Sequence, residues 1–179
     1  MTTIFDSAPY QNLILTGSMG VGKTTIGRLV AQQMDTEFVD LENIILEREG
    51  QSADNIRETF GESRLKALEA DAIRDLTLRR NAVITISGPA VVDEANRARL
   101  TDSGVVLCLT CALNEILRRI YVARGALFHN PANRGVMLSR LKRELRITTL
   151  DLPQLDTSQL SVEEAADAVR EFWLTHARL

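Results

Sequence analysis

Short apolar runs alternate with longer amphipathic stretches along most of the chain. Short runs bounded by turn-forming residues are typical of buried strands, and one of them, AVITIS, is rich in β-branched residues. Pro153 restricts the last run to a short or edge strand, because proline lacks the N–H that a sheet ladder needs. The predicted strands are Asn12–Thr16, Glu37–Val39, Ala82–Ser87, Val105–Thr110 and part of Asp151–Asp156.

The stretches between these runs have helical periodicity. Ser161 and Glu164 have the spacing of a capping box, which predicts that the last helix begins at Ser161. A turn-prone stretch, Gly125–Gly135, is a candidate lid over a bound ligand. The other predicted helices are Lys23–Gln33, Asn43–Glu49, Ala53–Phe60, Glu62–Arg79, Asp93–Thr101, Leu113–Ala123 and Val136–Leu145.

Alternating strands and helices predict βαβ units, a parallel sheet and a three-layer α/β/α architecture. A length of 179 residues fits a single domain over residues 1–179, with residues 125–135 as its lid segment. In such folds, ligands bind at the carboxyl ends of the strands. We therefore expect the functional residues at that edge of the sheet.

Composition narrows the functional class. Apolar residues make up 45% and charged residues 25%, with a net charge of −3, which argues against nucleic acid or an anionic membrane as a partner. Met1–Tyr10 lacks the pattern of a signal peptide, so we expect a cytoplasmic protein, with a monomer as the default state. Cys108 and Cys111 form a C-x-x-C, but Cys108 lies in a predicted buried strand, which favours a structural role over a redox or zinc site.

The segment Gly17–Thr24, GSMGVGKT, fits the phosphate-binding pattern G-x-x-x-x-G-K-[ST] between a predicted strand and a predicted helix. Glycines let the backbone turn and aim its N–H groups at phosphate oxygens, and the helix N-terminus adds positive potential. Lys23 is placed for the β- and γ-phosphates of ATP, and the Thr24 hydroxyl for Mg²⁺. The candidate ATP-binding residues in this segment are Gly17, Ser18, Gly20, Gly22, Lys23, Thr24 and Thr25.

From residue 12 to about residue 170 the chain resembles the shikimate kinase family. The glycine loop continues as T-I-G-R, and F-V-D-L-E at 38–42 stands where the family has F-x-D-x-D. Gly50, Gly61-Glu62, Leu68-Glu69, Ser87-Gly88 and Asp156-Thr157-Ser158 keep the spacing of further family motifs. The resemblance implies a P-loop NTPase fold of the nucleoside-monophosphate-kinase type that uses ATP and Mg²⁺.

The resemblance also assigns roles to individual residues. It implies that Asp40 holds Mg²⁺ together with Thr24, although Asp40 is also a suitable N-cap for the following helix. Glu42 stands where the family has the aspartate that holds the acceptor hydroxyl; its other interpretation is a first-turn glutamate that complements the helix dipole. Arg134 falls in the lid motif and is expected to reach ATP, unless it is a surface arginine.

The acceptor side departs from the family pattern. Lys66 replaces the arginine that binds the substrate carboxylate, and lysine lacks its two parallel donors. Arg57 replaces a phenylalanine, and Ser87-Gly88-Pro89 replaces three glycines. Arg143 or Arg146 corresponds to a second family arginine. The candidate acceptor-binding residues are Glu42, Arg57, Lys66, Gly88 and Arg143. Alternatively, Lys66 and Arg57 are solvated side chains on helix surfaces. Lys66 also has the spacing of an intrahelical ion pair with Glu69.

Two functions fit these features. The first is ATP-dependent phosphorylation of a hydroxyl on a small anionic metabolite, with Lys23, Asp40, Glu42 and Arg134 as catalytic residues. Shikimate is the best single named acceptor, although a related carbocyclic or sugar alcohol fits equally well. The acceptor-side changes predict that shikimate itself is a poor acceptor. The second is a non-catalytic ATP-binding regulator or partner-binding protein descended from a shikimate kinase.

Overall fold

The strands form one parallel sheet with helices on both faces. The computed structural model describes residues 8–177, apart from the side chains of Leu127 and Phe128. The sheet order is β2-β3-β1-β4-β5, and every neighbouring pair is parallel, so the predicted architecture is confirmed. The strands are β1 (Asn12–Thr16), β2 (Glu37–Asp40), β3 (Ala82–Thr85), β4 (Gly104–Thr110) and β5 (Gln154–Asp156).

The helices follow the predicted order, with two additional short elements, α5 and α8. A 3-10 helix, Leu145–Thr149, follows α9. The α-helices of the described residues are α1 (Lys23–Gln33), α2 (Leu41–Glu49), α3 (Ala53–Phe60), α4 (Glu62–Leu76), α5 (Gly88–Val92), α6 (Glu94–Ser103), α7 (Leu113–Arg124), α8 (Ala126–His129), α9 (Pro131–Glu144) and α10 (Val162–His176).

The central strand β1 is buried along its whole length, because helices cover both faces of the sheet. Its side chains alternate between two apolar clusters. Leu13 and Leu15 pack on the face covered by α1 and α10, and Ile14 packs on the opposite face with α2 and α4. Trp173 of α10 is fully buried, and its Nε1 donates to Gln11 O at 3.0 Å, which fixes the last helix to the start of β1.

Several predicted boundaries are wrong, most clearly in the candidate lid. The turn-prone stretch is helical, since α8 and the first turn of α9 fall within it. Asn130 caps α9 by accepting a hydrogen bond from Ala132 N, and Pro131 occupies the first helical position. Asparagine followed by proline therefore begins a helix here, although the same pair also favours turns.

Smaller differences have similar causes. Helix α2 begins at Leu41 rather than Asn43, because Asp40 is its N-cap. Strand β3 ends at Thr85 rather than Ser87, and Pro89 lies in the first turn of α5. Helix α4 ends at Leu76 rather than Arg79. The capping box of Ser161 and Glu164 is present as predicted.

The cysteines, the hydropathy of the helices and the N-terminal segment complete the description of the fold. Cys108 is buried in the core as predicted, and both cysteines are free thiols. Within residues 8–177, no helix is both long enough and apolar enough to cross a bilayer. The prediction for Met1–Tyr10 lies mostly outside the described residues.

Candidate active site

The loop after β1 has the backbone conformation that phosphate binding requires. Gly17, Gly20 and Gly22 all have positive φ, at 137°, 79° and 103°, which other residues adopt only with strain. A Cβ on Gly17 would also lie 2.3 Å from Leu109 O, so the loop rests directly on β4. Helix α1 begins at Lys23, immediately after the loop, and directs its N-terminus at the same space.

Lys23 lies at the centre of this loop. Its Nζ donates to Gly17 O at 2.8 Å and to Ser18 O at 2.9 Å. Burial lowers the pKa of Lys23, and the nearby carboxylates of Glu144 and Glu42 oppose that shift. The ammonium is therefore held by the loop's own carbonyls in a position where anionic oxygens would be favoured partners.

Asp40 is the N-cap of α2 and also lies beside Thr24. Its Oδ1 accepts hydrogen bonds from Glu42 N at 2.9 Å and Asn43 N at 3.4 Å, which caps α2. Its Oδ2 lies 3.3 Å from the Thr24 hydroxyl. One carboxylate thus ends β2, begins α2 and presents an oxygen beside Thr24. Ser18 is buried in the loop, and Thr25 is exposed.

A cavity of about 380 Å³ opens beside the loop. Lys23, Thr24 and Asp40 line it together with Glu42, Thr85 and Ser87 from the ends of neighbouring elements. All of these residues lie at or just beyond the carboxyl ends of strands, where ligands bind in this type of fold.

One arginine that was not predicted from the sequence contacts three carboxylates in and around this cavity. Arg140 of α9 donates to Glu144 Oε1 at 2.6 Å, to Asp54 Oδ2 at 2.7 Å and to Glu42 Oε1 at 3.1 Å. Glu144 is buried, and its Oε2 accepts a hydrogen bond from Met19 N in the glycine loop. Arg140 and Glu144 therefore link α9 both to the loop and to α2 and α3.

Glu42 lines the same cavity, next to Arg140. Partial removal of water raises the pKa of Glu42, against the opposing charge of Arg140. A carboxylate with a raised pKa is a better proton acceptor, as general-base chemistry requires.

A second cavity, of about 880 Å³, adjoins the first, because Met19 and Arg140 line both. Arginines outnumber carboxylates in its lining, and two of them, Arg57 and Arg140, are already paired with carboxylates. The charged lining residues are Asp54, Arg57, Glu58, Arg124, Arg140 and Arg143.

A third cavity, of about 610 Å³, lies on the α7 and α10 side of the loop. Arg119 joins the two sides, since it donates to Thr157 O at 2.9 Å and lies 3.4 Å from the carbonyls of Gly20 and Val21. The loop therefore has a cavity on each side, with Gly20, Gly22 and Thr25 lining both.

The sequence and fold of this chain are similar to those of known shikimate kinases. The shikimate kinase family model matches residues 19–173. The shikimate kinase of Geobacter sulfurreducens is 36% identical over 168 residues, covering 93% of this chain and 92% of that protein. The shikimate kinase of Xanthomonas campestris pv. campestris is 34% identical over 160 residues, covering 88% of each chain.

The chain belongs to the shikimate kinase family. Among solved structures, the shikimate kinase of Acinetobacter baumannii in complex with shikimate superposes with a TM-score of 0.77 at 26% identity, covering 94% of this chain and 95% of that one. The shikimate kinase of Bacteroides thetaiotaomicron gives a TM-score of 0.76 at 22% identity, covering 90% and 97%, which supports the fold. The predicted family is confirmed, and the chain is a small-molecule kinase of a family that uses ATP as phosphate donor.

This member of the shikimate kinase family does not bring all predicted acceptor residues together. Arg57 lines the second cavity, where it pairs with Asp54 at 2.7 Å and Glu62 at 2.9 Å. Arg143 lines the same cavity, whereas Arg146 does not.

Three other predicted residues lie apart from these cavities. Lys66 is exposed on α4 and lines neither of the two cavities described for the acceptor side. Gly88 is buried: a Cβ there would lie 2.9 Å from Glu144 O, so this glycine permits the close approach of α9. Arg134 is exposed on α9 and also lies outside both cavities.

Glu69, the expected partner of Lys66, has a different environment. It is 7% exposed, and the Ser87 hydroxyl lies 3.4 Å from its Oε1. Burial raises the pKa of Glu69 to about 7, with Arg57 opposing the shift. Since Glu69 points into the protein while Lys66 is exposed, the predicted intrahelical ion pair is not among the ion pairs of the described residues.

Proposed function

We propose that this shikimate kinase family member transfers the γ-phosphoryl group of ATP to a hydroxyl of shikimate. The observation that carries the proposal is the continuity of the two cavities: a phosphate-binding loop with Lys23 opens into the cavity of Glu42, and this cavity adjoins one rich in arginine. Donor and acceptor can therefore meet beside Glu42 and Arg140.

The phosphates of ATP would lie on the loop, with Lys23 exchanging the carbonyls of Gly17 and Ser18 for phosphate oxygens. The loop's N–H groups and the α1 N-terminus add to this attraction. The nucleoside would extend into the third cavity, next to Arg119, because that cavity opens from the same glycines on the other side of the loop.

Mg²⁺ fits the residues at the starts of α1 and α2. The Thr24 hydroxyl and Asp40 carboxylate lie 3.3 Å apart and are hard oxygen donors of the kind that Mg²⁺ prefers. Thr24 and Asp40 would hold the ion, which supplies neutralisation of phosphate charge during transfer.

Glu42 is proposed as the general base. The acceptor oxygen bonds to the γ-phosphorus as the bond between that phosphorus and the β–γ bridging oxygen breaks, and ADP leaves. The acceptor proton passes to Glu42, whose raised pKa suits it to the task. Most of the rate acceleration comes from positioning and charge neutralisation, which lower the barrier of phosphoryl transfer.

The acceptor's carboxylate would bind arginines rather than Lys66. Arg57, Arg140 and Arg143 all line the second cavity and would take the place of the family arginine that Lys66 replaces. Arg57 and Arg140 would exchange carboxylate partners of the protein for that of the acceptor. The shikimate kinases that match this chain support shikimate over other acceptors. The acceptor-side changes in the sequence argue the other way, so the efficiency with shikimate has to be measured directly.

Steady-state kinetics tests the proposal. ADP release is measured with Mg²⁺, ATP and shikimate, beside quinate, a cyclitol and a sugar acid. We expect kcat/KM for shikimate above about 10⁴ M⁻¹s⁻¹ and at least as high as for the other acceptors. A better acceptor in the panel would contradict the choice of shikimate, and no ADP release with any acceptor would favour the non-catalytic alternative.

Residues 125–135 remain a proposed lid, and Arg134 a proposed ATP contact. Because Arg134 is exposed and outside the cavities, such a contact requires α8 and α9 to move toward the nucleotide. Limited proteolysis with and without ATP tests this movement: protection of residues 125–135 is expected with ATP, and equal cleavage would contradict a lid.

A further inference from the structure

Two buried threonine hydroxyls lie near the carboxyl edge of the sheet without a hydrogen-bond partner among the described residues. They belong to Thr16 at the end of β1 and Thr85 at the end of β3, which are 0% and 3% exposed. Buried polar groups are nearly always paired, so each such group calls for a specific explanation.

Only one of the two lines the phosphate cavity. Thr85 is part of its lining, together with Thr24 and Asp40, and Thr16 is not. A buried, unpartnered hydroxyl on a residue that lines a binding cavity indicates a hydrogen-bond partner that arrives with the ligand.

The strand register places Thr85 beside the proposed metal residues. Thr85 is the direct partner of Asp40 in the parallel pairing of β2 and β3. Paired residues of adjacent strands project to the same face, with the strands about 4.8 Å apart. A Cβ on Gly27 of α1 would lie 3.3 Å from Thr85 Cγ2, so Thr85 is on the α1 face of the sheet, where Thr24 also lies.

Thr16 lies on the opposite face. It follows Ile14 by two residues on β1, and Ile14 packs in the cluster formed with α2 and α4. The two threonines therefore share residue type, burial and lack of a partner, and differ in the face of the sheet to which they project.

We propose that the Thr85 hydroxyl is an outer partner of the bound Mg²⁺, where it accepts a hydrogen bond from a metal-bound water. Mg²⁺ requires six oxygen ligands in octahedral geometry and usually keeps several waters, whose hydrogens need acceptors. Asp40 supplies carboxylate oxygen for this purpose, and Thr85 supplies the neighbouring hydroxyl. This inference rests on the proposed function.

Calorimetric titration with ADP, in excess Mg²⁺ and in EDTA, tests the inference without turnover. The ratio of the two affinities measures the coupling between metal and nucleotide. We expect Thr85→Val to reduce this ratio about tenfold, as is typical when a residue that supports metal ligands is lost. Affinity in EDTA should stay at the wild-type value, and Thr85→Ser should retain the coupling.

Thr16→Val is the matched control, because it removes an equally buried and unpartnered hydroxyl from a residue that does not line the cavity. Its coupling should equal that of the wild type. If Thr85→Val folds poorly against Gly27, Thr85→Ala carries the same test, with melting temperature as the check on folding.

Each result has a distinct meaning. Unchanged coupling in Thr85→Val would overturn the role of Thr85, as would an equal loss of affinity in Mg²⁺ and in EDTA, which would show that the hydroxyl serves the nucleotide. Failure of the wild-type chain to bind ADP under either condition would instead overturn the proposed function.

Discussion

Replacing Arg140 tests whether the charge network between α9 and the active site stabilises the protein. Arg140→Met keeps most of the apolar side chain and removes the guanidinium. Three carboxylates then lose a partner, but they differ in burial: the side chain of Glu144 is 6% exposed, whereas those of Asp54 and Glu42 are 46% and 52% exposed.

The expected loss follows from these exposures. Exposed ion pairs contribute about 0–1 kcal/mol each, so Asp54 and Glu42 together account for about 1 kcal/mol. Leaving a buried charge without its partner costs about 3–5 kcal/mol, and we take the lower end because Glu144 keeps its hydrogen bond from Met19 N. The sum is about 4 kcal/mol, or a melting temperature roughly 8–16 °C lower for a chain of this length.

Urea unfolding followed by circular dichroism measures this change. Arg48→Met is the control, since Arg48 pairs with Asp75 at 2.9 Å but both side chains are exposed, and it should cost no more than about 1 kcal/mol. In a double-mutant cycle, Arg140→Met should cost less when Glu144 is already Gln. A loss for Arg140→Met no greater than that for Arg48→Met would refute the reasoning.

Four further predictions concern single residues. Gly17→Ala should abolish ADP binding in calorimetry, because its Cβ would meet Leu109 O at 2.3 Å, while Gly135→Ala, which meets open space within α9, should raise stability to urea by about 0.5–1 kcal/mol. Lys23→Ala should abolish turnover with an unchanged circular dichroism spectrum; unchanged activity would refute its role in phosphate binding. Glu69 has a folded-state pKa of about 7, above its unfolded value, so its contribution to stability falls as pH rises from about 4.5 through 7. The stability of Glu69→Gln relative to wild type should therefore increase by up to about 3 kcal/mol between pH 5 and pH 8, as measured by urea unfolding. An equal stability difference at both pH values would contradict this shift.

The order of strands and helices could be predicted from sequence because each element carries its own pattern. β1 is continuously apolar since both of its faces are covered, and Ser161 and Glu164 form their capping box within a single turn. The start of α9 was missed because Asn130 and Pro131 favour turns and helix starts equally, and only the packing of the whole segment decides between them.

In the candidate site too, residues set by local sequence could be predicted, whereas residues set by long-range contacts could not. Lys23, Thr24 and Asp40 were identified because their positions follow from one loop and one strand end. Arg140 and Glu144 were not, although their spacing on a predicted helix indicates an ion pair: their decisive partners, Glu42 and Met19, lie 98 and 125 residues earlier in the chain.

Lys66 shows the opposite case, in which the solvated alternative agrees with the structure. Its motif position suggested a role at the site, but the same helix buries Leu65 and Glu69 and leaves Lys66 exposed. Correspondence to a family position gives a residue's place in the chain, whereas the direction of its side chain depends on which neighbours enter the core.

The support of the glycine loop by Thr157 has a consequence for biosynthesis. Thr157 is buried, its hydroxyl lies 3.0 Å from Val21 O, and Arg119 holds its carbonyl at 2.9 Å. The loop is made early in translation, but these supports come from residues 119 and 157. On the ribosome, a nascent chain therefore carries the complete phosphate-binding sequence well before it contains the residues that support the loop, so the loop gains this support only late in synthesis.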